Sequence, residues 1–300
     1  MIILEYHNRI VENTIRDQVR KVKSGKAADV VDITCADFDG VSFHISSDAN
    51  DTNILTVSVA TRCYHALQNF GVDDRLKKVY GELLTTAESN YDASLRIDLS
   101  KAPAAPGFFR KIAMLKRHVL SAPLLDTFEK IENKTAGNKL LEIRYRDNEA
   151  FYLKPEGDRC VMIFSIHFRD ADDVVFSKVF LQAYHDERKN IRGSPAVTFS
   201  QKDPPLELQG VAAGGDEQGF VQFVLFPDHL HAQRRQNTVD LMLIFRDYLH
   251  YHIKCSKAYI HQRMRARVNL LLQILNRAKQ TNPLEEKKMK TMDGRTFARK

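Results

Sequence analysis

The chain has 300 residues, 43% of them hydrophobic and 28% charged, with 13 Gly and 9 Pro. That composition excludes collagen-like, low-complexity and wholly disordered chains, and the length suits two domains of roughly 100–200 residues each. Forty-five Lys+Arg against 38 Asp+Glu give a net charge of +7, which admits an acidic partner without choosing among nucleic acid, lipid headgroups and protein.

The first strong pattern is Ile33-Thr34-Cys35-Ala36-Asp37-Phe38, then Asp39-Gly40, then Val41 to Ile45. Asp-Gly between runs rich in β-branched and aromatic residues predicts a hairpin, because both positions tolerate positive φ. A third strand is expected at Ile54 to Val59, a helix interrupted near Gly71 from Tyr64 to Tyr80, and a strand from Ala93 to Leu99. Beyond Pro103 and Pro106 a helical period runs from about Phe108 to Ile131, with Pro123 as a candidate kink.

A second series repeats this order. Leu140 to Arg146 alternates, Asp147-Asn148 turns, and Ala150 to Leu153 returns. Cys160 to Phe168 is a further strand, Val174 to Tyr184 reads either as strand or as strand running into helix, and Ala196 to Ser200 and Phe220 to Phe226 are short strands. Pro204-Pro205 and Gly210 to Gly219 read as loop. The expectation is an α+β chain: two tandem related α/β domains with antiparallel sheets at 1–122 and 123–235, a long helix at 236–280, and a charged extended tail at 281–300.

The long helix is the most informative segment. Met242, Phe245, Leu249, Ile253, Ile260, Met264, Val268, Leu271 and Leu275 follow one another in steps of three and four, with Ser256 the one polar member of the row. A single helix of about 43 residues would be roughly 65 Å long. A domain of about 130 residues, with a radius of gyration near 14 Å, does not readily cover it. Part of the stripe should therefore pack on another polypeptide, unless the helix breaks and bends back on its own domain.

Catalytic and metal motifs find little support. His250 and His252 are two apart and point about 200° from one another on a helix, so they do not grip one ion. His252 and Cys255 make only two ligands, short of a zinc site. Asp170-Ala171-Asp172-Asp173 lacks the glycine and the terminal glutamate of a calcium loop. Gly210 to Gly219 matches neither the dinucleotide fingerprint nor a phosphate loop, and no G-x-S-x-G, H-E-x-x-H or kinase set occurs. No catalytic residue, metal or cofactor is expected. Four dispersed cysteines suggest free thiols in a reducing compartment. Neither a signal-peptide pattern nor the ~18 consecutive apolar residues of a membrane span is found. A cytoplasmic protein without integral membrane association is expected, which makes the sequons at Asn50 and Asn133 chance matches.

Charge is less evenly spread. No acidic residue lies between Asp247 and Glu285, whereas Lys254, Lys257, Arg263, Arg265, Arg267, Arg277 and Lys279 are all basic. A helix face that is merely solvated usually mixes signs. Lys254, His261, Arg265 and Lys279 project along one flank beside the stripe, as if to meet an acidic protein surface.

The run Phe245-Arg246-Asp247-Tyr248-Leu249-His250-Tyr251-His252-Ile253-Lys254-Cys255-Ser256-Lys257-Ala258-Tyr259-Ile260-His261, followed by Arg263-Met264-Arg265-Ala266, closely resembles the final helix of the family of the 34-kilodalton subunit 2 of the actin-related protein 2/3 complex. Ala36 to Val41, Arg144 to Asp147, Pro204 to Leu208, Phe223 to Pro227 and Gly294 to Phe297 support the likeness. It spans nearly the whole chain and is weakest at 17–29, 100–135 and 185–195.

The resemblance implies a non-catalytic scaffold in a seven-subunit assembly with the actin-related proteins. The long helix would pack antiparallel on that of subunit 4, and the heterodimer would touch the side of a mother actin filament in support of branched nucleation. A cytoskeletal location, in the actin-rich cortex and cell projections, is implied too. For the subunit interface the expected residues are Met242, Phe245, Leu249, Ile253, Ile260, Met264, Val268, Leu271 and Leu275, burying apolar area against the second domain or subunit 4. For actin contact, charge and position select Arg265, Arg277, Lys279, Lys290 and Arg295, with Arg188, Lys189 and Arg192 as a second cluster. A basic adaptor for nucleic acid or anionic membrane is the alternative, although no recognition module is visible and Glu285 and Glu286 dilute the basic tail.

Overall fold

The computed structural model describes residues 4–191, 193–208, 210–211, 214–277, 289–290 and 296–297. The chain up to Ile253 forms one compact unit and Lys254 onward a second. The first unit opens with helix α1, Arg9–Lys23, which the sequence reading did not anticipate. Asn8 caps it by accepting from the N–H groups of Ile10 and Val11, and Val11, Ile15 and Val19 form its buried side.

Strands β1 (Asp32–Ala36) and β2 (Val41–Ser47) pair antiparallel. Asp39 and Gly40 between them adopt φ of 63° and 68°, the left-handed conformation expected for Asp-Gly. A Cβ at Gly40 would sit 3.3 Å from the Tyr145 carbonyl, so glycine also permits a close approach to the second half of the chain. Next come β3 (Ile54–Thr61), helices α2 (Tyr64–Gln68) and α3 (Val72–Tyr80), the two-residue β4 (Leu84–Thr85), and β5 (Ala93–Asp98). Gly71, at φ 68°, divides α2 from α3 as expected.

The helical period over 108–131 is three helices rather than one: α4 (Pro106–Ala113), α5 (Leu115–Leu120) and α6 (Ala122–Glu132). Pro123 stands in the first turn of α6, where a missing N–H costs nothing, so it starts a helix instead of kinking one. The expected domain boundary at 122/123 falls at the start of α6.

The second half contains β6 (Leu141–Arg144), β7 (Ala150–Glu156), β8 (Arg159–His167), helix α7 (Ala171–Glu187), β9 (Ala196–Gln201) and β10 (Gln218–Leu225). The ambiguous 174–184 segment is therefore helix. Its β-branched valines suggest a strand, but Asp172 and Asp173 sit in the first turn, where negative charge favours a helix start. The two sheets have the orders β1-β2-β3-β5-β4 and β6-β7-β8-β10-β9, the same arrangement drawn twice, with every pair antiparallel.

One hydrophobic core takes side chains from both sheets, α6 and the start of the long helix. A smaller cluster lies on the other face of the second sheet, where Leu208 covers Tyr152, Val161, Ile163 and Phe220. The Pro204-Pro205 loop thus carries a fully buried plug. After α8 (Pro227–Leu230), helix α9 runs over Ala232–Arg277, 46 residues. Beyond it, β11 (Met289–Lys290) pairs with β12 (Thr296–Phe297), where an extended tail was expected.

Candidate partner-binding surfaces

The first part of α9 is fixed by packing and by charge. Val239, Met242, Leu249 and Ile253 are each at most 1% exposed. Phe245 seats its ring 4.6 Å from that of Phe223 and 5.3 Å from that of Phe164. These side chains belong to the chain's own core. Of the two surfaces expected to cover the stripe, the second domain or subunit 4, the chain's own core takes Met242, Phe245, Leu249 and Ile253.

Ion pairs hold the same segment. Arg117 on α5 donates from Nε to Asp240 at 2.7 Å and from Nη2 to Gln236 at 2.6 Å. Arg246 reaches Glu149 at 2.8 Å from Nε and 2.9 Å from Nη2. Burial opposes the charge on Arg246, yet the Glu149 pair outweighs it and raises the guanidinium pKa. The histidines of this segment have ring partners: His252 stacks on Phe180 at 5.4 Å, and His250 lies 5.8 Å from Phe168. No group of three or more metal-ligating side chains is present among the described residues.

The second part of α9 is different. From Lys254 to Arg277 no residue is buried. Ile260 is 37% exposed, and Met264, Val268, Leu271 and Leu275 between 52% and 58%. These five residues lie within an arc of about 80° on the helix. Leu270 and Ile274 extend it on one side and Leu272 on the other, all exposed, which widens the apolar arc to about 200° over residues 270–275. The stripe reading missed those three because it followed only steps of three and four. The unbroken Leu270-Leu271-Leu272 was the available signal.

Full burial is worth about 1.5–3 kcal/mol per side chain, and these five, 37–58% exposed, would contribute roughly half of that, about 4–8 kcal/mol together. Association costs roughly 4–15 kcal/mol, so the exposed Leu270, Leu272 and Ile274 beside the stripe count as well. Cationic groups flank it. Arg265 lies on one side and Arg277 on the other, both exposed. Arg263 bonds the Tyr259 hydroxyl at 2.7 Å and covers that ring at 5.5 Å, which stiffens the flank.

The remaining candidates for actin contact divide. Arg188 is half-buried in the short turn Arg188–Asn190 that follows α7. Lys290 occupies β11, paired with Thr296. The Lys189 side chain, and Arg192, Lys279 and Arg295 altogether, lie outside the described residues. Cys63 and Cys160 are buried thiols whose pKa values burial pushes up, that of Cys160 to about 12, so neither is a ready thiolate. Among the described residues no helix is long and apolar enough to cross a membrane.

Comparison with known proteins assigns the chain. The family described as Arp2/3 complex, 34 kD subunit p34-Arc, matches residues 57–282. Actin-related protein 2/3 complex subunit 2 of Dictyostelium discoideum is 46% identical over 301 residues, covering 99% of each chain. The protein of the same name from Schizosaccharomyces pombe is 39% identical over 324 residues, covering 100% of both. The two full-length relatives span both sheets and the long helix, and the family match takes in the second sheet and the whole of α9. The chain belongs to the p34-Arc family, the 34 kD subunit of the Arp2/3 complex.

Proposed function

We propose that the chain is a non-catalytic structural subunit of the Arp2/3 complex, and that residues 260–275 of α9 pack on subunit 4 to form a core heterodimer. The observation that carries this reading is the apolar face from Ile260 to Leu275, which is exposed among the described residues. In the assembled complex the flanking cations would face the side of the mother filament. Actin is acidic, and such charges add steering and salt-sensitive affinity more than raw strength. The expected workplace is the cytoplasmic actin cytoskeleton, at the cortex and in cell projections, with the actin-related proteins as neighbours in the assembly.

The test is co-expression of the full chain with subunit 4 of the same organism. A stoichiometric heterodimer is expected, and the pair Val268→Asp with Leu271→Asp should abolish it. Retention of subunit 4 by that double variant overturns the interface. Capture that depends on RNA or on anionic vesicles would favour the adaptor reading instead. For the filament surface, reversing Arg277, Lys279, Lys290 and Arg295 in the assembled complex should weaken cosedimentation with filaments. Unchanged cosedimentation overturns that assignment.

A further inference from the structure

The apolar face of α9 is not the only place where the chain is built to receive something. In the first unit a cavity of about 390 Å³ opens between the segment before α1, the β1–β2 connection, α5 and α9. Its rim is mixed: Tyr6, Ile10 and Phe38 are 43%, 47% and 54% exposed, Arg9 pairs with Glu5 and His7 with Glu5 and Glu12, and Leu120, Leu243 and Ile244 continue the wall inward. Its floor is charged. Lys116 Nζ lies 3.1 Å from Asp39 Oδ2 and 3.6 Å from Asp37 Oδ1. Asp247, 7% exposed, faces the same ammonium from α9.

The other nearby cations are committed elsewhere, Arg117 to Asp240 and Arg246 chiefly to Glu149. Arg246 gives Asp247 only a long contact of 3.4 Å. Lys116 thus faces three acidic side chains, of which Asp37 also accepts from Asn8 Nδ2 at 3.1 Å and from the Phe38 N–H at 2.7 Å. The Asp247 carboxyl is pushed up to about 7, first by burial and then by the like charge of Asp39, which outweigh the help of Lys116 and Arg246. A further anion would meet this acidic floor in a partly dry site, whereas a cation would favour the ionised form of Asp247 and pair with it.

We propose that this cavity seats a peptide segment of a partner protein that carries an arginine or lysine beside an aromatic or aliphatic residue. The cation reaches Asp247 and Asp37 at the floor, and the apolar neighbour packs on Phe38, Tyr6 and Ile244. The cavity lies in the 300–1,000 Å³ range of small-ligand sites, room for one such pair of side chains. This inference rests on the pocket alone and stands apart from the assignment of α9 to subunit 4.

The test uses the full chain labelled at its isoleucine δ1 methyls, titrated with acetyl-Phe-Arg-amide at up to about 10 mM. Saturable shifts at Ile10 and Ile244 are expected, with acetyl-Phe-Gln-amide binding about tenfold more weakly and acetyl-Phe-Glu-amide weaker still. Asp247→Asn should erase most of the preference for Arg over Gln. Should that variant fail to fold, Asp37→Asn, at the more exposed end of the floor, should reduce the same preference. Equal affinity for the Arg and Glu peptides, or the absence of shifts at Ile10 and Ile244, overturns the proposal.

Discussion

Residues 232–253 and 254–277 of α9 carry apolar side chains at the same helical spacing, and they have opposite surroundings. In the first segment the stripe is core, backed by Phe164, Phe223 and paired arginines. In the second it is exposed throughout. The spacing of apolar residues says which side of a helix avoids water, and leaves open whether the covering surface belongs to the same chain. The neighbours across the fold decide that. Arg117, Arg246 and the inward phenylalanines exist only for the first segment, whereas the second is flanked by lysines and arginines with no nearby carboxylate in the sequence.

That contrast can be broken by matched substitutions. Phe245→Ala in the first segment should lower unfolding stability by about 3–5 kcal/mol, the usual cost of emptying a buried aromatic site, read as a shift in the urea midpoint. Val268→Asp with Leu271→Asp should leave that midpoint within about 0.5 kcal/mol, as exposed substitutions do, while reducing affinity for subunit 4 by more than a hundredfold. If both variants unfold the chain alike, the division of the helix is wrong.

Arg117→Met tests the polar part of the anchor. Leaving Asp240 unpaired should cost about 1–3 kcal/mol, measured by the same midpoint. Asp247 adds a pH signature. Its carboxyl stays protonated in the fold at pH values where the unfolded chain has already released that proton, so stability should fall as pH rises from about 4 to about 7. Asp247→Asn should flatten that part of the profile; an unaltered profile would assign the proton elsewhere. The smallest effect is expected from Arg265→Glu alone, a several-fold loss of filament affinity that added salt erases.

Much of the architecture was legible because it rests on local rules. Asp39-Gly40 marked a hairpin, Gly71 a helix break, and alternation from Leu140 to Arg146 marked β6. The order of the second sheet repeats the first, so the duplicated pattern of hairpin, strand and helix carried real topology. Other features were hidden for physical reasons. Helix α1 is strongly charged and buries only a narrow side, so its apolar period is thin. The turns at Met114 and Ser121 interrupt a continuous period without glycine. Leu208 looks like part of a proline loop until the second face of the sheet it plugs is known. Asp39 reads as a turn residue, and only the fold shows its carboxylate turned inward on Lys116. Along α9 the period marked Met242 to Ile253 and Ile260 to Leu275 alike and left open whether the second domain or a partner covers each, because the phenylalanines that meet Phe245 come from distant strands.

The order of the two segments along α9 also bears on how the protein is made. A ribosome emits the core, including the anchored first segment, before it emits Ile260 to Leu275. At about 5–20 residues per second those sixteen residues take only seconds to appear. The sticky half of the helix thus emerges after both five-stranded sheets and the core are available, with only the short β11 and β12 among the described strands still to follow. Moving the same sixteen-residue stripe, 260–275, to the front of the chain would expose it through the whole of synthesis, with aggregation as the competing outcome.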